Sequence, residues 1–247
     1  TENDRSLWQI KDSCLGKDGV VIGMGPSFKK EDVEKFRGFA TFACNKIFLI
    51  EKEYQWRPDF YCVGDLLVAQ NNFQEIQNYS CRNKFLVRPV SERLNCKKEL
   101  PFLEVSGTID QYATNPTYSK NPLFGLITGG STVVLALIQM AYWAGCRSVY
   151  LVGIDFFFSG LNPTGERTEM GEVVLTSTGE VNHFHRDYRK PGEKWTVPKL
   201  DDQRKGFTYA RRAFERDGRK IVNASRETKL DVLDVESFDT VFTGSQE

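Results

Sequence analysis

The sequence predicts an α/β protein built on a doubly wound, mostly parallel Rossmann-like sheet. Short apolar runs alternate with longer segments of helical character along the chain, which is typical of this fold class. Several of these runs end directly in glycine or in a polar residue, as strands do when they lead into a ligand site. The length of 247 residues is sufficient to bury the core of one large domain.

The composition is that of a globular protein without a general affinity for nucleic acid. Lys plus Arg and Asp plus Glu both number 33, so the formal net charge is zero, and hydrophobic residues make up 40%. Nucleic-acid-binding proteins normally show a basic excess, so we expect no nucleic acid partner. The six cysteines are scattered without a C-x-x-C pair, which favours a reduced, cytoplasmic protein and no structural zinc site.

The sequence predicts no membrane-spanning segment. The longest apolar helical run, Val133 to Gly145, is too short to cross a bilayer, and Thr1 to Trp8 show no basic-then-apolar signal pattern. We therefore expect a cytoplasmic protein and leave open a peripheral attachment at the inner face of the membrane. The sequence does not indicate an oligomeric state.

The first predicted strand leads into a glycine turn. Residues 19–27 read Gly-Val-Val-Ile-Gly-Met-Gly-Pro-Ser, and a charged, helix-compatible segment follows over 28–36. A buried strand, a glycine turn and a helix in this order can present backbone N–H groups to a phosphate. We predict an anion site formed by Gly23, Gly25, Pro26 and Ser27. We also expect a Gly25→Val variant to fold and to lose the ligand. An ordinary corner is the alternative, because the third glycine of the dinucleotide fingerprint is absent.

Three further strands are predicted in the first half of the chain. They cover residues 39–45, 59–65 and 84–88. The first two end on Asn45 and Asp65, and residues 66–79 then read as a helix. Because the carboxyl ends of parallel strands share one edge, we expect both side chains to point into the same cleft. Capping of the following helix is the alternative for each.

A second glycine-rich turn is predicted beyond an irregular segment over 91–121. It is formed by Thr128, Gly129, Gly130 and Ser131. This turn opens a helix over 133–144, and Gly145 stands where a glycine cap ends a helix. We expect the two glycine turns to hold one anionic ligand from two sides, as a nucleotide phosphate would require.

The remainder of the chain adds one more candidate residue and a lid. The most strand-like stretch, 148–155, ends in Gly-x-Asp, so Asp155 joins the predicted ligand site. Residues 156–198 are rich in Gly, Pro, Thr and charge and are predicted to form a lid or insertion. A helix over 200–217 and a strand over 220–225 complete the fold. The chain, 1–247, is expected to form a single domain.

The two histidines, His183 and His185, lie together in the predicted lid. A histidine can act as general acid or base because its unperturbed pKa lies near ~6.5. A metal site on an extended strand and a pair of surface histidines are the alternatives. Nearby charges that suit a polar substrate are Arg186, Asp187, Arg189 and Lys190. Nucleophilic hydrolysis is poorly supported, since no Gly-x-Ser-x-Gly segment is present.

Several of these segments, in this order, resemble those of two related families. The segments are 21–27, 42–45, 128–131 and 149–156. They resemble the opening and core of the bacterial CMP-sialic-acid-dependent sialyltransferases and of the 6-hydroxymethylpterin diphosphokinase (MptE-like) family. Many members of the second family are found in surface-polysaccharide gene contexts. The block 182–195, followed by a helix and by 221–224, is especially similar to this second family. The similarity covers most of residues 19–225.

The resemblance to the sialyltransferases implies specific roles. The residues that would hold the CMP part of the donor are Gly23, Gly25, Ser27, Asn45 and the 128–131 turn. His183, followed by the aromatic Phe184, matches the catalytic base of that family, and His185 is the second candidate. Met24 replaces a polar residue of the family's glycine loop, and the family's pair of lid tyrosines has no equivalent here.

The resemblance leaves three functions to consider. The first is a metal-independent glycosyltransferase that joins a CMP-activated acidic sugar (sialic acid, another nonulosonate or Kdo) to a glycan or glycolipid. It would need no cofactor and would serve surface polysaccharide synthesis. The alternative is an ATP:6-hydroxymethylpterin pyrophosphokinase with Mg²⁺ held by carboxylates such as Asp65 and Asp155. The third is a nucleotide-binding module without catalysis.

Overall fold

The structure, a computed structural model, describes residues 1–95, 100–103, 118–124, 132–168 and 171–243. Its strands are β1 (Gly19–Ile22), β2 (Ala40–Cys44), β3 (Phe60–Val63), β4 (Asn83–Val87), β5 (Phe102–Leu103), β6 (Ser148–Val152), β7 (Pro163–Arg167), β8 (Val173–Thr176), β9 (Lys194–Thr196), β10 (Lys220–Asn223) and β11 (Asp234–Val235). Its α-helices are α1 (Glu2–Gln9), α2 (Glu51–Tyr54), α3 (Leu66–Asn71), α4 (Phe73–Asn78), α5 (Arg88–Arg93), α6 (Val133–Trp143), α7 (Leu200–Arg216) and α8 (Phe238–Thr243). Short 3₁₀ helices cover Lys30–Phe36, Asn45–Ile50, Pro122–Phe124 and Arg186–Tyr188.

Within the described residues, the main sheet has eight strands in the order β11-β10-β6-β1-β2-β3-β4-β5. Every neighbouring pair in it is parallel. The chain proceeds from β1 to β5 on one side and from β6 through β10 to β11 on the other. The strand order therefore reverses between β1 and β6, which is where open α/β sheets bind ligands. The predicted α/β class with a parallel sheet is confirmed.

The central strands are apolar along their whole length because they are covered on both faces. β1 and β2 are buried at every position. Helix α6 packs on β1, β2 and β3, and nine of its eleven residues are buried. Gly206 of α7 allows a close approach between helices, since a Cβ there would lie 2.4 Å from Leu135 Cδ1 of α6. This packing fixes the orientation of the carboxyl edge of the sheet.

The predicted glycine cap of α6 is confirmed. Gly145 has φ +93°, a left-handed conformation that suits glycine. Its N–H donates to the Tyr142 carbonyl over 3.0 Å, and the N–H of Cys146 donates to the Ala141 carbonyl over 3.0 Å. These two bonds satisfy carbonyls that the end of the helix leaves unpaired.

Two helix predictions differ in detail from the structure, and one short helix is not predicted at all. The segment after β1 is a 3₁₀ helix, and its buried residues Val33 and Phe36 share a face because three residues make one turn. The predicted helix over 66–79 is divided at Asn72, whose side chain donates to the Val68 carbonyl over 2.8 Å and competes with the backbone. The strand before Pro89 ends as predicted, and a helix, α5, begins there.

The predicted lid over 156–198 contains a small antiparallel sheet in the order β7-β8-β9. Its inner residues, Leu175 and Trp195, are almost fully buried. Residues 96–99 and 104–117, which make up much of the predicted irregular segment 91–121, lie outside the described residues. Among the helices that the structure describes, none is both long and apolar enough to cross a bilayer.

Candidate active site at the carboxyl edge of the sheet

The glycine turn after β1 packs directly against the turn after β6. The N–H of Gly23 donates to the Val152 carbonyl over 2.7 Å, and that of Gly25 to the Gly153 carbonyl over 2.9 Å. A Cβ on Gly25 would lie only 2.7 Å from that same carbonyl oxygen. The glycines are therefore needed for backbone packing. The expectation that a Gly25→Val variant folds undisturbed is wrong, because the valine side chain would overlap the turn after β6.

Asp155 binds the end of the same turn. Its carboxylate accepts hydrogen bonds from the Ser27 N–H, at 2.8 Å, and from the Ser27 hydroxyl. Burial raises the pKa of the Asp155 carboxyl, while the bonds from Ser27 oppose this rise. Pro26 carries no N–H, and the amides of Gly23, Gly25 and Ser27 all have protein acceptors. Binding of a phosphate by this turn stays a prediction.

Asn45 and Asp65 follow neighbouring strands, β2 and β3, at the carboxyl edge. Asn45 has φ +46°, a conformation that asparagine adopts more readily than most residues. Its side-chain oxygen accepts the Gly64 N–H over 3.4 Å. Asp65 caps α3 by accepting the Val68 N–H over 3.0 Å. The capping alternative is thus observed for Asp65, and a ligand role for either residue stays a prediction.

Lys46, which was not predicted as a site residue, lies in the 3₁₀ helix after β2, and its side chain extends towards residues 182–189. The residue is buried, and its Nζ donates to the Tyr188 carbonyl over 2.6 Å. The same Nζ forms a 2.8 Å ion pair with Glu193 Oε1. The only feature of the sequence that could have indicated a role for Lys46 is its position directly after Asn45 at the end of a strand. Through these two contacts, Lys46 joins the carboxyl end of β2 to the segment that contains Tyr188 and Glu193.

Residues 182–189, the histidine loop, are docked on the glycine turn. The Phe184 N–H donates to the Met24 carbonyl over 2.9 Å. The Phe184 ring packs on Phe28 with centroids 5.3 Å apart. The buried Asn182 side chain joins the loop to Ser159 through 2.8 Å bonds in both directions. The fold therefore brings the loop to the edge where β1 and β2 end.

His183 carries an imidazole that is neutral at neutral pH. Its ring stacks on Tyr188 with centroids 3.9 Å apart and an interplanar angle of 4°. Burial, followed by the positive charges of Arg189 and Lys46, lowers its pKa well below the ordinary value of 6.5. A neutral imidazole has a lone pair that can accept a proton from a substrate hydroxyl, and the lowered pKa makes this imidazole a weaker base than a free one.

His185 has a different environment from His183. Its Nδ1 accepts the Asp187 N–H over 3.0 Å and caps the 3₁₀ helix Arg186–Tyr188. Its Nε2 lies 4.0 Å from Glu53 Oε1. In the part of the chain that the structure describes, no three His, Cys, Asp or Glu side chains are grouped to hold a metal ion. The two histidines do not form the centre of such a group.

Arg189 completes the cluster around Tyr188. Its guanidinium carbon lies 4.2 Å from the centroid of the Trp195 ring. The side chain is buried, and its Nε has no hydrogen-bond partner among the described residues. Arg189 was noted in the sequence only as one of several nearby charges, and nothing local distinguished it from the exposed Arg186.

The second predicted glycine turn cannot be placed. Thr128, Gly129, Gly130 and Ser131 lie outside the described residues, and their contribution to the site stays a prediction. An apolar groove of about 250 Å³ lies between the segment that follows Asp155 in the chain and the start of α7. It is lined by Phe156, Phe157, Phe158, Leu161, Pro198, Leu200, Arg204 and Lys229.

Comparison with known proteins gives one family and two similar structures. Residues 2–160 match the family described as 6-hydroxymethylpterin diphosphokinase MptE-like. The sialyltransferase CstII from Campylobacter jejuni, in complex with the substrate analogue CMP-3FNeuAc, is 14% identical with a TM-score of 0.47, covering 89% of this chain and 86% of the other. Its complex with cytidine-5'-monophosphate is 12% identical with a TM-score of 0.48, covering 90% and 85%. No curated protein matches the sequence.

Proposed function

The chain belongs to the 6-hydroxymethylpterin diphosphokinase MptE-like family, and from this premise we propose that it is a transferase acting on a nucleotide-activated donor. More specifically, we propose a glycosyltransferase that uses a CMP-activated acidic sugar. The order of segments shared with the sialyltransferases supports this donor. The observation that carries the proposal is the neutral imidazole of His183, held at the carboxyl edge of the sheet beside the cations Arg189 and Lys46.

The proposed reaction is a single displacement at the anomeric carbon. The acceptor hydroxyl loses its proton to His183 while its oxygen forms the new bond to that carbon. The bond between the carbon and the phosphate oxygen of CMP breaks, and the electron pair leaves with CMP. The groups proposed to bind this phosphate are the Ser27 hydroxyl and the 128–131 turn. In this proposal the Ser27 hydroxyl gives up its hydrogen bond to Asp155 and donates to the phosphate instead. The acceptor is a glycan or a glycolipid.

The pyrophosphokinase function is the second candidate, and the description of the family supports it. This reaction requires Mg²⁺ on the ATP phosphates, and Asp65 and Asp155 were the suggested ligands. The two residues follow β3 and β6, which are separated by β1 and β2. Three strand spacings amount to about 14 Å, whereas Mg²⁺ needs its ligands at ~2.1 Å. The two carboxylates are therefore not expected to share one ion, and a pyrophosphokinase would hold Mg²⁺ by one of them together with the ATP phosphates.

The proposal is tested by assaying the purified protein with each donor in turn. CMP-N-acetylneuraminate and CMP-Kdo are incubated with glycan acceptors in EDTA, and the release of CMP is measured. ATP with 6-hydroxymethylpterin and Mg²⁺ is the parallel assay, with AMP as the product. We expect CMP release that EDTA does not abolish and that His183→Gln removes.

Other outcomes of this assay decide between the remaining functions. Mg²⁺-dependent formation of AMP, without CMP release, would establish the pyrophosphokinase. Binding of CMP or ATP in a thermal-shift experiment, without turnover on any acceptor, would support a non-catalytic nucleotide-binding module, because a bound ligand stabilises the folded state by mass action.

A further inference from the structure

Arg189 is a buried cation, and no ion pair joins it to the described carboxylates near it, which are Asp65, Glu193 and Glu180. Its side chain is 9% exposed, and Nε has no acceptor among the described residues. Glu193 pairs with Lys46 and also accepts the Lys190 N–H. Asp65 caps α3. Glu180 Oε2 accepts the Thr178 N–H, while its Oε1 is buried without a partner among the described residues. The guanidinium is therefore held next to Tyr188 with its Nε lacking the hydrogen bond that a buried donor normally makes.

This arrangement is costly for the fold in the absence of a ligand. Burial lowers the pKa of the Arg189 guanidinium, and the negative charges of Asp65, Glu193 and Glu180 only partly oppose this effect. The stacking of Arg189 on Trp195, whose ring is fixed in β9, holds the group in position. An unpaired charge that is kept in place at the expense of stability is typical of a binding site.

The position of Arg189 relative to the proposed base indicates which anion it meets. Arg189 follows Tyr188, the residue on which His183 stacks, and its charge is second only to burial in lowering the pKa of His183. In a single displacement, the nucleophile and the leaving phosphate lie on opposite faces of the anomeric carbon. A cation beside the base is therefore on the side away from the leaving phosphate. Sialic acids and Kdo carry a carboxylate on this same carbon.

We propose that Arg189 binds the carboxylate on the anomeric carbon of the donor and thereby selects acidic sugars. The planar guanidinium can give two parallel hydrogen bonds to a carboxylate, which an ammonium group cannot. The inference rests on the proposed function. It goes further in naming the residue that distinguishes an acidic from a neutral sugar.

The experiment compares the binding of two ligands by calorimetry. CMP-N-acetylneuraminate carries the carboxylate, and CMP alone does not. We expect Arg189→Gln to weaken the binding of CMP-N-acetylneuraminate by about 10- to 100-fold, the loss of a hydrogen-bonded charge pair, and to leave the binding of CMP unchanged. Arg189→Lys, which keeps the charge without the fork, should give an intermediate loss. Arg186→Gln is the matched control, because Arg186 is exposed on the same loop.

The remaining outcomes overturn the inference in distinguishable ways. An equal loss of affinity for both ligands would mean that Arg189 contacts the phosphate or the nucleoside. Unchanged affinity for both ligands would mean that Arg189 contacts neither of them. If the wild-type protein binds CMP-N-acetylneuraminate no more tightly than CMP, the inference fails, and so does the proposal that the donor is an acidic sugar. If it binds neither ligand, the proposed function itself fails.

A stability measurement separates a binding role from a structural one. Since the unliganded guanidinium is buried without a hydrogen-bonded partner at Nε, Arg189→Met should leave the Tm unchanged or raise it. A decrease of more than about 4 °C would show that Arg189 stabilises the fold and would contradict the inference.

Discussion

His183 and His185 are two residues apart, yet their side chains have different surroundings. The first stacks on Tyr188 and has a lowered pKa, whereas the second uses Nδ1 to cap a short helix. Because the capping bond occupies one ring nitrogen of His185, we propose His183 rather than His185 as the group that accepts a proton from substrate.

His183→Gln is expected to lower turnover by ~10²–10⁴-fold, the usual contribution of a general base, while nucleotide affinity is retained. His185→Gln is the matched variant and should have a milder effect, because it loses only the bond to the Asp187 N–H. Steady-state kinetics and calorimetry on both variants measure this. Normal turnover in both single variants and in the double variant would exclude catalysis by a histidine base.

The lowered pKa of His183 also predicts a pH dependence of stability. Above pH 6.5, the imidazole is neutral in the folded and unfolded states and contributes no dependence. Below this pH, the unfolded state binds a proton that the folded state does not, so stability decreases as the pH falls towards the folded pKa. Relative to His183→Gln, the wild-type protein should lose about 1 kcal/mol of unfolding free energy between about pH 6.5 and 5. Denaturant titrations measure the difference. It should stay constant from pH 7 to 8, and curves that remain parallel below pH 6.5 would contradict the prediction.

At the scale of elements, the glycine turn is held in place by the segment that follows β10. The guanidinium of Arg226 binds the buried carboxylate of Asp32 through two bonds, of 2.6 and 2.7 Å. It also donates to the Ser27 carbonyl over 3.1 Å and lies 3.9 Å above the Phe238 ring. One side chain therefore connects the end of the glycine turn, the 3₁₀ helix after it and α8.

Arg226→Met should lower the free energy of unfolding by about 3 kcal/mol, because it leaves the Asp32 carboxylate buried without its partner. Arg147→Met is the matched control. Its ion pair with Asp18 is exposed, and its loss should cost at most about 1 kcal/mol. Urea unfolding of both variants gives the comparison. Equal effects would mean that the Asp32 site admits enough water to replace the guanidinium.

At the scale of the whole molecule, the two sheets differ in how far their strands are buried from solvent. The strands β1, β2 and β6 form the buried centre of the parallel sheet. In the antiparallel sheet, β7 is mostly exposed, and only β8 and β9 bury side chains against the body of the protein. The histidine loop is joined to the turn after β1 through the Phe184 N–H and to the antiparallel sheet through the stacking of Arg189 on Trp195 of β9.

Hydrogen exchange should therefore be slowest in β1, β2 and β6 and faster by several orders of magnitude in β7, because local opening of an exposed strand requires less free energy than global unfolding. Mass spectrometry of exchanged peptides measures this order. Similar protection of β7 and β1 would show that the antiparallel sheet unfolds only with the core.

The fold was largely predictable because its signal is local. A strand buried on both faces must be apolar along its whole length, and such runs at residues 20–22 and 42–44 are visible without any knowledge of their neighbours. Polar or glycine residues directly after such runs indicated the carboxyl edge. The lengths of the helices were less predictable, since the side chain of Asn72 competes with the backbone and divides one of them.

The sequence by itself determined the class of the fold, and it supplied the predictions that the site lies at the carboxyl edge of the sheet and that a histidine acts as the base. Only the tertiary structure decided which groups meet there. Lys46 binds Glu193, 147 residues away in the chain, and Asp32 binds Arg226 across 194 residues. The tertiary structure also showed that the N–H groups of the glycine turn donate hydrogen bonds to backbone carbonyls and to Asp155. Such partners depend on how distant segments pack, and charge or hydrogen-bonding capacity alone does not specify which opposite group a residue reaches.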